Sequence, residues 1–179
     1  MEDFHPPHLY VGDKIYFVSV KTIEGKKLFN SPKKKQILMN CINTGIRKYN
    51  LKLYAFVVLD NHYHLLFLST QKLSLPQLLN YINGRSSFEI NKIDNSKGRK
   101  VWYQYWDRCI RGEKDFWLRF NYIHNNPVKH GYVKIMKEVK DYKFSSYNLW
   151  LKEKGQEWLD SCFDNYPIKD FTVESESCL

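Results

Sequence analysis

Apolar positions along this chain recur in two rhythms, and the switches between them outline the elements. Lys14 to Val20 (KIYFVSV) is short, aromatic and β-branched, which predicts a strand. Ser31-Pro32 supplies an N-cap and a first-turn proline, so a helix is predicted from about residue 32 to 48. Ile37, Leu38, Cys41, Ile42 and Ile46 recur at helical spacing within it. Lys33, Lys34 and Lys35 fall in the first turn, where the helix dipole disfavours cations. They read as a solvated face or a phosphate contact, not as a stabilising feature.

Leu51 to Leu59 (LKLYAFVVL) is nearly continuous in apolar residues, the pattern of a central strand covered on both faces. Asp60-Asn61 is turn chemistry, and His62 to Leu68 (HYHLLFL) returns as an antiparallel strand. A helix follows from about Leu75 to Ile90, with Leu78, Leu79 and Ile82 on its buried stripe and Gly84 a weak point late in its course. Beyond a polar, basic loop (Asn95 to Lys100), Val101 to Ile110 reads as an aromatic strand. Strand, helix, strand, strand, helix, strand is the ferredoxin-like βαββαβ order. It implies an α+β fold, an antiparallel sheet with both helices on one face. The other face is left for a ligand or a further element. A helix from about Glu113 to Asn126, ended by Pro127, is free to cover it, and one more helix is predicted near Ile135 to Lys152.

Composition narrows the reading. With 179 residues the chain has room for one domain with a sizeable core, and 43% hydrophobic and 16% aromatic content excludes a disordered chain. No run of about 18 apolar residues exists to span a membrane. Met1 to Pro7 lacks the basic-then-apolar layout of a secretory leader, so the cytoplasm is the expected location. The net charge is +9, but it is uneven: residues 1–152 hold 26 basic and 12 acidic side chains, residues 153–179 hold 2 and 7. A basic body of 1–152 with an acidic tail of 153–179 points to a polyanionic partner, most simply nucleic acid; the tail is read as loose or as folding back on the body. None of Cys41, Cys109, Cys162 and Cys178 forms a C-x-x-C pair, which argues against a zinc ribbon. All four are expected to be reduced, and at least the first two buried.

Two constellations carry chemistry. On a strand, His62 and His64 point to one face and can meet one cation, while Tyr63, Leu65 and Phe67 face the helices. A neutral His-x-His pair suits a divalent ion, including Mg²⁺ or Mn²⁺ when oxygen ligands join. On the helix from Glu113, Phe116, Phe120 and Ile123 form the buried stripe, and Arg119, Tyr122 and Asn126 share a separate polar face. A metal held by two imidazoles and an amide can polarise a phosphodiester while a nearby phenol attacks phosphorus. Generating that phenolate at pH 7 costs roughly 4 kcal/mol from an ordinary pKa near 10, so nucleophile and cation must lie close together.

Leu59-Asp60-Asn61-His62-Tyr63-His64-Leu65-Leu66 and Tyr122-Ile123-His124-Asn125-Asn126-Pro127-Val128-Lys129-His130-Gly131-Tyr132-Val133 resemble the two signatures of the HUH single-tyrosine transposases. The second stretch is most similar to the REP-associated tyrosine transposases, a bacterial branch. The resemblance runs from about residue 10 to 150. It implies a metal-dependent endonuclease and strand transferase for single-stranded DNA at palindromic hairpins, leaving a 5′-phosphotyrosyl enzyme and a free 3′-hydroxyl. Carried over by position, Tyr122 is the nucleophile, and His62, His64 and Asn126 hold Mg²⁺ or Mn²⁺. Asparagine stands where related branches carry glutamine, a shorter arm, and Tyr63 stands where a bulky hydrophobic residue is expected.

Around these, Arg119 is read as stabilising charge at phosphorus or as a backbone contact, and Lys97, Arg99 and Lys100 as phosphate contacts to a hairpin stem. Lys129 and His130 follow the tyrosine helix and would touch DNA on the same side. Trp102, Tyr103, Tyr105 and Trp106 offer stacking surfaces, half of which must face the core. His124 reads as structural, and Tyr132, Tyr142 and Tyr147 lack a companion amide four residues on. Two other readings fit the same sequence: an RRM-like sheet that binds single strands without cutting, and a hydrolase using activated water. The short link between Ile110 and Glu113 favours a helix docked on its own sheet, hence a monomer over a dimer.

Overall fold

The computed structural model describes residues 13–70 and 75–171. The chain runs β1 (Ile15–Thr22), α1 (Pro32–Lys48), β2 (Lys52–Val58), β3 (His62–Leu68), α2 (Leu75–Ile93), β4 (Trp102–Cys109), α3 (Glu113–Lys129), α4 (Tyr147–Lys154) and α5 (Gln156–Asn165), with 3₁₀ turns at Ile23–Gly25 and Met136–Asp141. All strand pairs are antiparallel, in the order β2-β3-β1-β4. The α+β, ferredoxin-like arrangement expected from the sequence is therefore present, with α3 added on the second face. The N-terminal heptapeptide, the acidic stretch Glu174 to Ser177 and Cys178 lie outside the described residues.

Strand alternation sorts the side chains into two cores. Tyr16, Val18 and Val20 of β1 and Tyr63, Leu65 and Phe67 of β3 pack against Leu38, Ile42 and Ile46 of α1 and Leu78, Leu79 and Ile82 of α2. On the other face, Phe17, Ala55, Val57, Leu59 and Leu66 meet Phe120, Tyr122 and Ile123 of α3. Leu159 of α5 is buried in this second core, so part of the acidic C-terminal region packs against the body. Helix α1 begins where Ser31-Pro32 foretold, the Ser31 hydroxyl accepting a bond from the Lys34 amide at 3.3 Å.

Several expectations are corrected. β2 is an edge strand, not a central one; it reads as apolar on both sides because both cores cover it. Its free edge is closed by a later segment: the Val58 amide donates to Phe144 O at 2.8 Å and the Ser146 amide to Phe56 O at 3.0 Å. That pairing breaks the helix expected over 135–152 into a 3₁₀ turn, a bridging stretch and α4, since satisfying an exposed strand edge outweighs local helix propensity. Pro127 does not end α3, which continues to Lys129. Gly84 does not interrupt α2. Cys41 is buried, but Cys109, on the opposite edge strand β4, is only half-buried.

The lysine run is corrected at two of its three positions, Lys33 being exposed as expected. Lys35 is buried, its ammonium 2.7 Å from Asp60 Oδ1 and over the rings of Tyr132, Tyr142 and Phe144 at 4.8, 5.7 and 5.5 Å. Lys34 pairs with Asp94 at 2.8 Å. These two are structural, because the helical period places Lys35 on the same stripe as Leu38, Met39 and Ile42.

Candidate active site

β3 and α3 face each other across the second side of the sheet. Between them lies a cleft of about 280 Å³ lined by Phe17, Ser19, Lys21, His62, His64, Trp106, Tyr122, Lys129, His130 and Phe171. The His62 and His64 rings are 5.1 Å apart, and the Tyr122 ring lies 5.3 Å from His64. Helix α3 reaches this position through a link of three residues, Ile110 to Gly112. Gly112 has φ 145°, a conformation that would strain any residue with a Cβ.

Hydrogen bonds orient the donors. His62 Nδ1 lies 2.7 Å from Asn61 Oδ1, an oxygen that can only accept, while the Asn61 amide nitrogen donates to Gly25 O at 3.1 Å. Gly25 sits in a turn with left-handed backbone at Glu24 (φ 53°) and at itself (φ 64°). The proton of neutral His62 is thus held on Nδ1, and Nε2 offers its lone pair toward Asn126 Oδ1, 3.4 Å away. The Asn126 amide nitrogen is spent on Tyr122 O at 2.7 Å, which turns Oδ1 toward the imidazole. Two acceptors facing each other call for a cation or a donor between them. Among the described residues, neither ring nitrogen of buried His64 has a hydrogen-bond partner.

Burial holds both imidazoles neutral, as ligands must be. Desolvation first, then the neighbouring His130, brings the His62 pKa down to about 4. Desolvation, reinforced by His62 and His130, holds His64 well below the ordinary histidine range. The residues therefore fit a divalent metal held by two imidazoles and an amide oxygen. Among the described residues, no group of three or more His, Cys, Asp and Glu side chains is disposed to hold a metal. The candidate set differs in drawing its third donor from an amide. Burial raises the Tyr122 pKa, and Lys129, its ammonium 5.3 Å from the ring centroid, pulls the other way.

His62, His64, Tyr122, Asn126, Lys129 and His130 are gathered here; the His130 ring is 4.8 Å from that of His62. Lys129 pairs with Asp170 at 2.7 Å. Arg119 is buried, its guanidinium 3.5 Å from the Phe171 ring centroid and 4.9 Å from that of Phe17, beside Asp115. Lys97, Arg99 and Lys100 lie apart, in the α2–β4 loop, where Arg99 bonds Asp94 at 2.7 Å and Asn91 at 2.9 Å. His124 is buried, with Nε2 2.7 Å from Ser146 Oγ. The Tyr142 hydroxyl donates to Val58 O, and the Tyr132 hydroxyl accepts from the Asp60 amide.

Sequence reasoning missed the roles of Ser19, Lys21, Phe17, Phe171 and Asn61. For β1 the signal was its alternation, which sets Phe17, Ser19 and Lys21 opposite the core-facing residues. Asn61 was read as turn chemistry alone.

The model of a family described as transposase IS200-like matches residues 14–126. A REP-associated tyrosine transposase of Escherichia coli (strain K12) is 30% identical over 115 residues, covering 63% of this chain and 64% of that protein. A Haemophilus influenzae relative is 27% identical over 110 residues, 56% of this chain and 61% of its own length. The chain's match thus spans less than two thirds of either relative. A solved structure of a REP-associated tyrosine transposase bound to a REP hairpin shares the fold, with a TM-score of 0.67 at 24% identity over 97% of this chain and 96% of that one.

Proposed function

Because the chain belongs to the IS200-like transposase family, we propose that it is a metal-dependent single-strand DNA endonuclease and strand transferase acting at hairpin-forming palindromic repeats. The observation that supports this most is the convergence of His62, His64 and Tyr122 on a single cleft. A relative bound to a REP hairpin supports the choice of DNA partner. A sheet that only binds single strands has no use for a buried imidazole whose two nitrogens find no partner among the described residues.

In this reading the Tyr122 oxygen attacks phosphorus, loses its proton and forms the O–P bond. The bond from phosphorus to the 3′ oxygen breaks, and that oxygen leaves as a hydroxyl after taking up a proton. The products are a 5′-phosphotyrosine and a free 3′ end. His62, His64 and Asn126 would hold Mg²⁺ or Mn²⁺, which when bound supplies positive charge against the phosphoryl oxygens. Lys129 favours the phenolate, whose formation at pH 7 costs at least about 4 kcal/mol for a phenol of ordinary pKa. Asn126 fixes the helix turn beneath the phenol by bonding Tyr122 O. Arg119 adds positive charge behind Phe171, and His130 and Lys129 meet the backbone of the cut strand. Lys97, Arg99 and Lys100 meet the hairpin stem away from the cleft. The short three-residue link between β4 and α3 favours a helix working over its own sheet, and a monomer is the expected working form. The cytoplasm is the expected location; among the described residues no helix is long and apolar enough to cross a membrane.

The test is a labelled hairpin oligonucleotide with a single-stranded flank, incubated with Mn²⁺ or Mg²⁺. A covalent protein–DNA adduct should form and be absent in Tyr122→Phe. An adduct that persists in that variant, or binding with no adduct under either metal, overturns the assignment.

A further inference from the structure

β-sheet register sets one row of side chains across the floor of the cleft. Ser19 of β1 lies opposite His64 of β3 on one side and opposite Trp106 of β4 on the other. Neighbouring strands are about 4.8 Å apart, so the imidazole and the indole stand roughly 10 Å from each other with the smallest member between them. Large, small, large makes a trough.

Trp106 is unlike the other tryptophan of its strand. Trp102 is buried in the helix-side core, stacked on Phe29 at 4.9 Å and bonded through Nε1 to Ser86. Trp106 is half-buried, belongs to neither core, and lines the cleft together with His62, His64 and Tyr122. Lys21, which faces His62 across β1 and β3, holds its ammonium 5.4 Å from the Trp106 ring centroid. A large aromatic surface left out of core packing, beside a cation and within one trough of the metal-type donors, has the makings of a stacking wall.

We propose that Trp106 is the platform on which an unpaired nucleobase adjoining the scissile phosphate stacks, with Lys21 against the phosphate beside that base. This rests on the single-strand cleavage reading and adds a subsite to it. The base lies along the indole, and its phosphodiester points across Ser19 toward His64 and Tyr122. Stacking is indifferent to the identity of the base, so the subsite measures whether a base is present and unpaired.

The experiment measures binding in the Tyr122→Phe background, with Mn²⁺ present, to hairpins whose flank carries one abasic site walked through each position around the cut. One abasic position should weaken binding by roughly five- to a hundredfold when Trp106 is present. The same lesion should have little effect in Trp106→Ala, which binds the intact strand as weakly as the parent binds the lesion. Trp106→Phe, which keeps an aromatic ring and the strand's packing, should recover part of the loss. Equal abasic penalties with and without the indole, or an intact-strand affinity unchanged in Trp106→Ala, overturn the subsite while adduct formation by the wild type still upholds the cleavage reading. If the parent binds none of these oligonucleotides, both fall.

Discussion

Replacing Asn61 by alanine removes an acceptor 2.7 Å from His62 Nδ1 and a donor 3.1 Å from Gly25 O. The second loss is an ordinary hydrogen bond at a partly exposed turn, worth about 1 kcal/mol, so the fold should survive. The first loss reaches the site. Without Asn61 Oδ1, the proton of neutral His62 is free to move to Nε2, where Asn126 Oδ1 waits 3.4 Å away to accept it. That tautomer consumes in one bond the two lone pairs that would otherwise meet a cation. Loss of such an outer partner costs about 10–100-fold in metal affinity, or roughly 1.4–2.7 kcal/mol. Calorimetric titration with Mn²⁺ measures this directly. Asn61→Ala should bind 10–100-fold more weakly than the wild type, whereas Asn61→Asp, which keeps an acceptor against Nδ1, should stay within a few-fold. Nitrogen-15 spectra of His62 should show the proton leaving Nδ1 in the alanine variant alone. Wild-type Mn²⁺ affinity in Asn61→Ala would refute the reasoning.

Two further outcomes concern stability. Burial brings the His124 pKa down to about 3, so the folded state refuses a proton that the unfolded chain takes near pH 6.5. Its contribution is intact above about pH 6.5 and is lost as the pH falls toward 3, about 2 kcal/mol by pH 5. In urea denaturation with chelator present, His124→Gln should therefore lose less stability between pH 7 and 5 than the wild type, and an identical loss would discount the buried imidazole. Lys35→Met leaves Asp60 without its cation in a nearly closed site and should cost about 3–5 kcal/mol, with Lys35→Met/Asp60→Asn recovering most of it. A double variant no more stable than the single one would locate the loss in the aromatic cage instead.

Local chemistry made much of the frame legible. Ser31-Pro32 marks the start of α1, and the alternation around His62-Tyr63-His64 alone assigns the imidazoles to one face and Tyr63 to the other. Three other features escaped for separate reasons. Lys35 was legible in principle, since it lies three and seven residues before Leu38 and Ile42, but its charge drew the reading toward solvent. The break between Met136–Asp141 and Tyr147–Lys154 depends on the edge of β2, and no local pattern announces that a distant strand needs covering. The row His64, Ser19, Trp106 depends on register across three strands, which is a property of the folded sheet alone.

The geometry of the site follows from the sheet acting as a partition. β3 presents Tyr63, Leu65 and Phe67 to one core and His62, His64 and Leu66 to the opposite face, so the residues that bury it also fix where the imidazoles stand. A slip of one residue would put Tyr63 and Leu65 in the cleft and both histidines in apolar packing against α1 and α2, an exchange that the buried Tyr63 hydroxyl, bonded to Asn83 Oδ1 at 2.8 Å, further opposes. The same division governs α3. Phe120 and Ile123 are buried against Ala55, Val57, Leu59 and Leu66, and that packing sets the rotation of the helix and hence the direction of Tyr122. The distance between phenol and imidazoles is thus fixed by two hydrophobic contacts made for stability. That packing sets Tyr122 and His64 5.3 Å apart, ring to ring.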